Sequence, residues 1–164
     1  MKLREAKLED EKIIREMYEE YMSNDPIPGI DRFEGIRDLE KLEEKSFKEW
    51  IDDLEKGKDE KNLPSTYSPH TLYLAINDEE KLVGAIGLRW KMVPALITFG
   101  GLIGYSIRPS ERGKGYASEM LKLGLEKFKN AEINNVLISC KDFNIASKKV
   151  IEKGANILVS GSYI

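Results

Sequence analysis

The residues best suited to chemistry lie in one basic turn, RPSERGKGYA at positions 108–117. An apolar stretch precedes this turn and a helical pattern follows it. A helix start offers unpaired backbone N–H groups and the positive end of the helix dipole. Glycines in such a turn let an anion come close to the backbone. The turn therefore predicts a binding site for a phosphate group.

Three phosphate-binding patterns were compared with this turn. A Walker A loop requires glycine at the position of Arg108 and Ser or Thr at the position of Gly115, so it does not match. A dinucleotide fingerprint requires a third glycine where Ser118 stands. The pattern Arg/Gln-x-x-Gly-x-Gly/Ala matches at every fixed position, with Arg112, Gly115 and Ala117.

A second block, NIASKKVIEKG at positions 144–154, follows a short apolar segment. With both blocks, the sequence resembles the GNAT superfamily of N-acetyltransferases, of the small bacterial type. The resemblance runs from residue 1 to about residue 154 and is most specific over residues 103–117. It implies one N-acetyltransferase domain over residues 1–164. The implied fold is α+β, with three layers and a mixed, centrally parallel sheet flanked by helices.

The resemblance also implies acetyl-CoA as the cosubstrate, with no metal. The pyrophosphate is expected to bind, mostly through backbone groups, at Arg112, Gly113, Lys114, Gly115, Tyr116 and Ala117. The pantetheine arm is expected to contact the backbone of Tyr105, Ser106 and Ile107 and the side chains of Asn144 and Ser147. Asn144 is equally suited to capping a helix. The plain alternative for the whole turn is a solvated basic cap of a helix.

The expected reaction is direct attack of an amine on the thioester, and the residues that transfer protons are left open. The family's usual positions for a polar or acidic residue and for a tyrosine hold Leu102 and Ile151, and neither side chain can transfer a proton. Tyr105 and His70 are the candidate catalytic residues, because a phenol and an imidazole can transfer protons. Glu34 as a general base and Cys140 as a nucleophile that forms an acyl-enzyme have weaker support.

The acceptor is expected to be a primary amine of a small molecule or a peptide. Acidic residues in the segments expected to border the acceptor fit a cationic amine, and equally fit ordinary solubility: Asp25, Asp31, Glu34 and Asp59. Two alternatives stay open. One is a catalytically degenerate module that binds acyl-CoA as a regulator or sensor, and the other is a nucleotide-phosphate binder unrelated to CoA.

Composition excludes several other classes of protein. The chain has 164 residues and a formal charge of −3, from 26 Lys plus Arg and 29 Asp plus Glu, which argues against a nucleic-acid partner. Its single cysteine excludes an intramolecular disulfide and fits a reducing compartment. No apolar run approaches the roughly 20 residues of a membrane span. We therefore expect a cytoplasmic protein without a membrane partner.

The elements expected to position these residues follow from hydrophobic periodicity and turn residues. The predicted helices are 10–22, 46–56, 115–130 and 144–153, and residues 56–70 are predicted as a loop. The predicted strands are 2–6, 71–76, 81–92, 96–108, 135–140 and 156–163. The strands ending at Arg108 and Cys140 are expected to be parallel and to splay apart. A single strand after residue 154 would leave an exposed sheet edge, which favours a homodimer.

Overall fold

Four strands form one sheet in the computed structural model, which describes residues 1–98 and 100–154. They are β1 (Lys2–Glu5), β2 (His70–Ile76), β3 (Leu82–Arg89) and β4 (Ile103–Ile107), and they pair in chain order. Each described pair is antiparallel. The central strand β3 is apolar and almost fully buried because helices cover both faces of the sheet.

Five α-helices complete the described part of the chain: α1 (Glu11–Ser23), α2 (Phe47–Gly57), α3 (Pro94–Thr98), α4 (Tyr116–Asn130) and α5 (Ile145–Gly154). Short 3-10 turns lie at Leu8–Asp10, Arg37–Glu43, Glu60–Asn62 and Pro109–Glu111. The start of α2 is set by a capping box, in which Ser46 and Glu49 each accept a hydrogen bond from the other's backbone N–H. Among the described helices, none is long and apolar enough to cross a bilayer.

Two hydrophobic cores lie on opposite faces of the sheet. Helices α1 and α2 and the segment between them pack on the face that carries Leu72, Leu74 and Ala85. Helices α4 and α5 pack on the face that carries Ile86 and Leu88. The alternation of side chains along each strand produces this division. The result is three layers, as expected from the sequence.

The expected central parallel pair is not found among the described residues, which corrects the predicted sheet. The segment 135–140 makes only an isolated antiparallel bridge, between Gly101 and Ile138, and does not form a strand. Gly101 has a φ of +63°, so the chain turns sharply just before β4 and meets this segment at one point only. The predicted strand 156–163, and the homodimer pairing inferred from it, lie outside the described residues.

The predicted strand 96–108 is also too long. Residues 94–98 form the short helix α3, and the strand begins only at Ile103. Pro94 suits the first turn of a helix, where its missing N–H costs nothing. The apolar residues Leu96, Ile97 and Ile103 fit a strand and a helix equally well by pattern, because a short apolar run does not distinguish the two.

Candidate functional site

The basic turn leads from β4 into α4 and opens toward solvent. Gly113 and Gly115 have φ values of +77° and +85°, in the left-handed region that glycine adopts without strain. A Cβ added at either glycine would have no atom within 4 Å. Glycine is therefore required at these two positions for the backbone conformation and not for lack of space. The space beside the backbone is available to a ligand.

The backbone amides of this turn point to an anion. Within the described residues, the N–H groups of residues 113–117 have no hydrogen-bond acceptor. Gly115 is the N-cap of α4, so two of these amides belong to the unpaired first turn of the helix. A concave row of free N–H groups at a helix start is a general binding site for phosphate.

Most basic side chains around the turn are paired with carboxylates, whereas Arg112 Nε donates to the Ile107 carbonyl at 3.3 Å. Glu111 is only 3% exposed and accepts hydrogen bonds from Lys81 and Lys114. These two ammonium groups hold the pKa of the Glu111 carboxyl below its usual range. Arg108 binds Glu20 in the same way. Much of the local positive charge is thus balanced, so the backbone amides are the main electrostatic attraction for an anion.

The outer edge of β4 lies next to this turn, and two hydrogen bonds decide which of its peptide groups are free. Arg89 N donates to the Leu102 carbonyl and Arg108 N donates to the Val83 carbonyl, each at 2.9 Å. Because hydrogen-bonded and non-hydrogen-bonded pairs alternate along an antiparallel strand, every second residue of β4 directs both its N–H and its C=O away from β3. The outward-facing N–H and C=O groups are those of Ile103, Tyr105 and Ile107, and of these the Ile107 carbonyl already accepts a hydrogen bond from Arg112 Nε at 3.3 Å.

The outer edge of β4 and the chain leading into α5 meet through their backbones only at the start of β4, and we call the gap between them the cleft. Leu102 N donates to the Leu137 carbonyl at 2.7 Å, beside the bridge between Gly101 and Ile138. In the part of the chain that is described, no strand pairs with the outer edge of β4 beyond that contact. The edge from Ile103 onward therefore offers hydrogen-bonding groups to an extended ligand.

Two glycines, Gly35 and Gly104, bring the loop after α1 into contact with β4. A Cβ on Gly104 would lie 2.4 Å from the Gly35 carbonyl oxygen, and a Cβ on Gly35 would lie 2.7 Å from Tyr105 N. Gly87, opposite Gly104 on β3, faces the same carbonyl at a longer distance of 3.7 Å. The loop at residues 31–36 thus forms one wall of the cleft.

Tyr105 and Ser147 meet across the cleft from β4 to α5. Their hydroxyl oxygens are 2.8 Å apart. Burial raises the pKa of the Tyr105 phenol, so the phenol is neutral at pH 7. Burial likewise raises the pKa of the nearby Cys140 thiol, which disfavours the thiolate that a nucleophilic cysteine requires.

The second block forms α5, and its polar residues serve the helix start. The Asn144 side-chain oxygen accepts a hydrogen bond from Ser147 N at 3.1 Å. This confirms the prediction that Asn144 caps the helix. Ile151, one turn beyond Ser147, is 7% exposed and packs in the core with Leu102, which is 2% exposed. Both positions that hold polar residues in the resembled family are therefore buried and apolar here.

Ser106 faces the other side of the sheet from Tyr105. Its hydroxyl accepts a hydrogen bond from the Tyr21 hydroxyl at 2.8 Å. Burial raises the pKa of Tyr21 to about 12, so this phenol also stays protonated. The peptide group of Ser106 faces β3, in contrast to those of Tyr105 and Ile107, so it does not lie on the free edge.

His70 and Tyr105, the two candidate catalytic residues, are not brought together. His70 lies on the face covered by α1 and α2, where its Nε2 is 3.6 Å from an Asp38 carboxylate oxygen. Asp38 raises the pKa of the His70 imidazole, and His70 in turn helps to hold the pKa of Asp38 down against burial. Gly57 at the end of α2 leaves room for the ring. This pair belongs to the packing of α2 on the sheet.

Several residues around the site have no signal in the local sequence. Tyr21 follows the apolar pattern of α1, which conceals its hydrogen bond to Ser106. Lys81 and Lys141 reach their partners over 30 residues and more, and only the folded chain reveals such contacts.

Among the described residues, no group of three side chains suited to a metal ion is found.

Comparison with protein-family models identifies one family that covers most of the chain. A family model described as an acetyltransferase (GNAT) domain matches residues 1–154. The match covers both sequence blocks, the sheet and all five α-helices. No curated protein matches the chain significantly.

Proposed function

The chain belongs to the GNAT acetyltransferase family, and we propose that it is an acetyl-CoA-dependent N-acetyltransferase. Family membership supports acyl or acetyl transfer in general. The finer proposal is that the acetyl group passes from acetyl-CoA to a primary amine of a small molecule or peptide. The observation that carries it is the open turn with five free amides, next to a free strand edge.

The turn suits the pyrophosphate of acetyl-CoA. The free N–H groups of residues 113–117 would donate to the phosphate oxygens, and the left-handed glycines give those oxygens room. Arg112 and Lys114 add positive charge at the rim, although Lys114 already binds Glu111. Binding in this proposal depends mainly on backbone, so it is more sensitive to a change at Gly115 than to the loss of one cation.

The free edge of β4 suits the pantetheine arm. This arm carries two amides, and the outward N–H and C=O of Tyr105 and the N–H of Ile107 can pair with them as a neighbouring strand would, while the Ile107 carbonyl is held by Arg112. The peptide group of Ser106 faces β3, so we propose no backbone contact for that residue. Asn144 and Ser147 lie across the cleft at the start of α5, where a second contact with the arm is possible only through their side chains.

In the proposed reaction a neutral amine attacks the thioester carbonyl carbon. The new bond is N–C, the bond that breaks is C–S, and the electron pair leaves on sulfur. The nitrogen loses one proton and the thiolate gains one, so the products are an N-acetyl amide and CoA. Positioning of the two substrates supplies a large share of the rate in such a transfer.

Tyr105 is the best-placed donor of the proton that the thiolate needs. Its phenol is kept neutral by burial, and a general acid must be neutral to donate. It contacts Ser147 on α5, one turn before Ile151, where the family usually has a tyrosine. Tyr105 would thus supply, from the opposite wall of the cleft, the hydroxyl that position 151 lacks.

Calorimetric titration with acetyl-CoA tests the cofactor site. We expect Gly115→Asp to abolish binding, because it places a carboxylate among the free amides. Gly100→Asp is a matched control, since Gly100 also has a positive φ (+100°) and open space around its Cβ. Equal binding by the wild type and the Gly115→Asp variant would overturn the proposed site.

A regulatory module that binds acyl-CoA without turnover is a second candidate. The buried side chains of Leu102 and Ile151 favour it, because both usual proton-transfer positions are apolar. The two candidates differ in thiol release, which a thiol reagent detects. Release of CoA thiol with any member of an amine panel indicates the enzyme. Tight acetyl-CoA binding without release indicates the module.

A further inference from the structure

One lysine side chain links the loop after α1 to the segment that precedes α5. The Lys141 ammonium lies 2.9 Å from a Glu34 carboxylate oxygen and donates a hydrogen bond to the Gly29 carbonyl at 2.7 Å. It also lies 6.0 Å from the centre of the Phe143 ring, at the outer limit of a cation–π contact. We call Gly29, Glu34 and Phe143 the ammonium site.

The ammonium site joins the two walls of the cleft. Glu34 immediately precedes Gly35, which lies against the Tyr105 backbone. Lys141 immediately follows Cys140, which packs against the same hydrophobic core as Tyr105. A group held at this site is therefore next to the strand edge proposed for the pantetheine arm.

Three exposed apolar side chains belong to the ammonium site or lie within two residues of it along the chain. Phe143 is 57% exposed, Ile145 is 53% exposed and Ile27 is 46% exposed. Ile27 and Gly29 belong to one tight turn, and the Phe143 ring packs on Gly29. A charged site bordered by such a patch suits a ligand with an ammonium group and an apolar arm.

We propose, on the premise that the chain acetylates an amine, that Glu34, the Gly29 carbonyl and the Phe143 ring bind the ammonium group of the acceptor, which then gives one proton to solvent and attacks the thioester as a neutral amine. Lys141 occupies this site when the acceptor is absent, and the acceptor displaces it. The acceptor class is a primary amine with an aryl or branched alkyl arm. Both partners of the ion pair are about one-third or more exposed, and an ion pair in such a setting is weak enough to be displaced.

The test uses the full chain with CoA bound, so that no turnover occurs, and phenethylamine and isoamylamine as probes. Lys141→Met removes the competing ammonium but keeps an apolar stem, and we expect it to bind the amines about threefold more tightly. Lys141→Arg keeps the charge and should bind as the wild type does. Glu34→Gln should lose about tenfold in affinity, because the only carboxylate of the site is gone. Ligand-observed NMR measures these affinities.

Two controls separate specific from general effects. Lys149→Met removes a positive charge from an exposed position on α5 and should leave amine affinity unchanged. Phenethyl alcohol, which lacks the ammonium, should bind all variants equally. If Lys141→Met and the wild type bind the amines alike, or if Glu34→Gln loses nothing, the ammonium site is refuted.

The failure of this inference can be distinguished from the failure of the proposed function. Acetyl-CoA affinity is measured on the same samples, and none of these substitutions lies in the basic turn. If acetyl-CoA binds normally and substitutions at residues 34 and 141 leave the amine affinities unchanged, only the ammonium site is refuted. Loss of acetyl-CoA binding in the wild type refutes the proposed function first.

Discussion

At the scale of single residues, Tyr105 contributes to the cleft in two ways. Its peptide group lies on the free edge of β4, and its hydroxyl contacts Ser147 on α5. The first contribution does not depend on the side chain. The second does, so substitution of the side chain can separate catalysis from cofactor binding.

We expect Tyr105→Phe to lower kcat by about 100-fold, the usual scale for loss of a general acid. Acetyl-CoA affinity should change little, because the backbone is retained. Tyr73→Phe is the matched control, since Tyr73 lies on β2 in register with Ile86 and Tyr105 on the same face. Steady-state kinetics and calorimetry on both variants measure the effect. An unchanged kcat in Tyr105→Phe would rule out this role.

His70 stabilises the fold through its pairing with Asp38, and this pairing predicts that the free energy of unfolding depends on pH. Asp38 raises the pKa of folded His70 above its ordinary value of about 6.5. The folded state then binds the proton more tightly, so the stabilisation is full below about pH 6.5. It is lost as the pH rises through the raised pKa of the folded protein.

Urea unfolding of the wild type and His70→Gln from pH 5.5 to 8.5 tests this dependence. The wild type should have its largest advantage at the acid end, and the advantage should shrink toward pH 8.5. His70 is the only histidine, so no other imidazole contributes. Asp38→Asn should remove the same dependence. An advantage that grows with pH would contradict the assigned pairing.

At the scale of elements, the contact between the loop after α1 and β4 depends on glycine pairs. Gly35 and Gly104 allow the loop backbone to lie directly on the strand, which places Glu34 at the mouth of the cleft. A side chain at position 104 would force the two elements apart. Gly87, opposite Gly104 on β3, is under no such constraint, because a Cβ added there would have no neighbouring atom closer than 3.7 Å.

We therefore expect Gly104→Ala to destabilise the protein by about 2 kcal/mol, since the added methyl group would lie 2.4 Å from the Gly35 carbonyl oxygen. Gly87→Ala, on the same sheet face and directly opposite, should stay within about 0.5 kcal/mol of the wild type. Urea unfolding measures both free energies. Equal losses in the two variants would show that the loop does not rest on β4.

At the scale of the whole molecule, the proposed cofactor site combines β4, the basic turn, α4 and α5. A ligand that binds only this folded arrangement stabilises the entire chain. At 100 times its Kd it contributes about 2.7 kcal/mol. For a chain of this size, that corresponds to a rise in Tm of about 5–10 °C.

Thermal unfolding with and without acetyl-CoA measures this rise. We expect Gly115→Asp to show no rise and Gly100→Asp to show the full rise of the wild type. Both variants carry the same substitution at a positive φ, so they share the general cost of the change. A full rise in Gly115→Asp would place the ligand elsewhere on the molecule.

The sequence alone was sufficient to predict the family, the basic turn and most of the elements. These features depend on local rules: helical periodicity in α1, α2 and α4, the Asn144 cap, and glycines at the start of a helix, Gly113 and Gly115. Local rules operate over a few residues, and so a single sequence contains the information.

Only the tertiary structure decided how distant residues meet. It separated His70 from Tyr105 onto opposite faces of the sheet, and it turned the peptide group of Ser106 away from the free edge. It also brought Glu34 and Lys141 together over more than 100 residues. Strand register and long-range ion pairs depend on how the whole chain packs, and no local pattern encodes them.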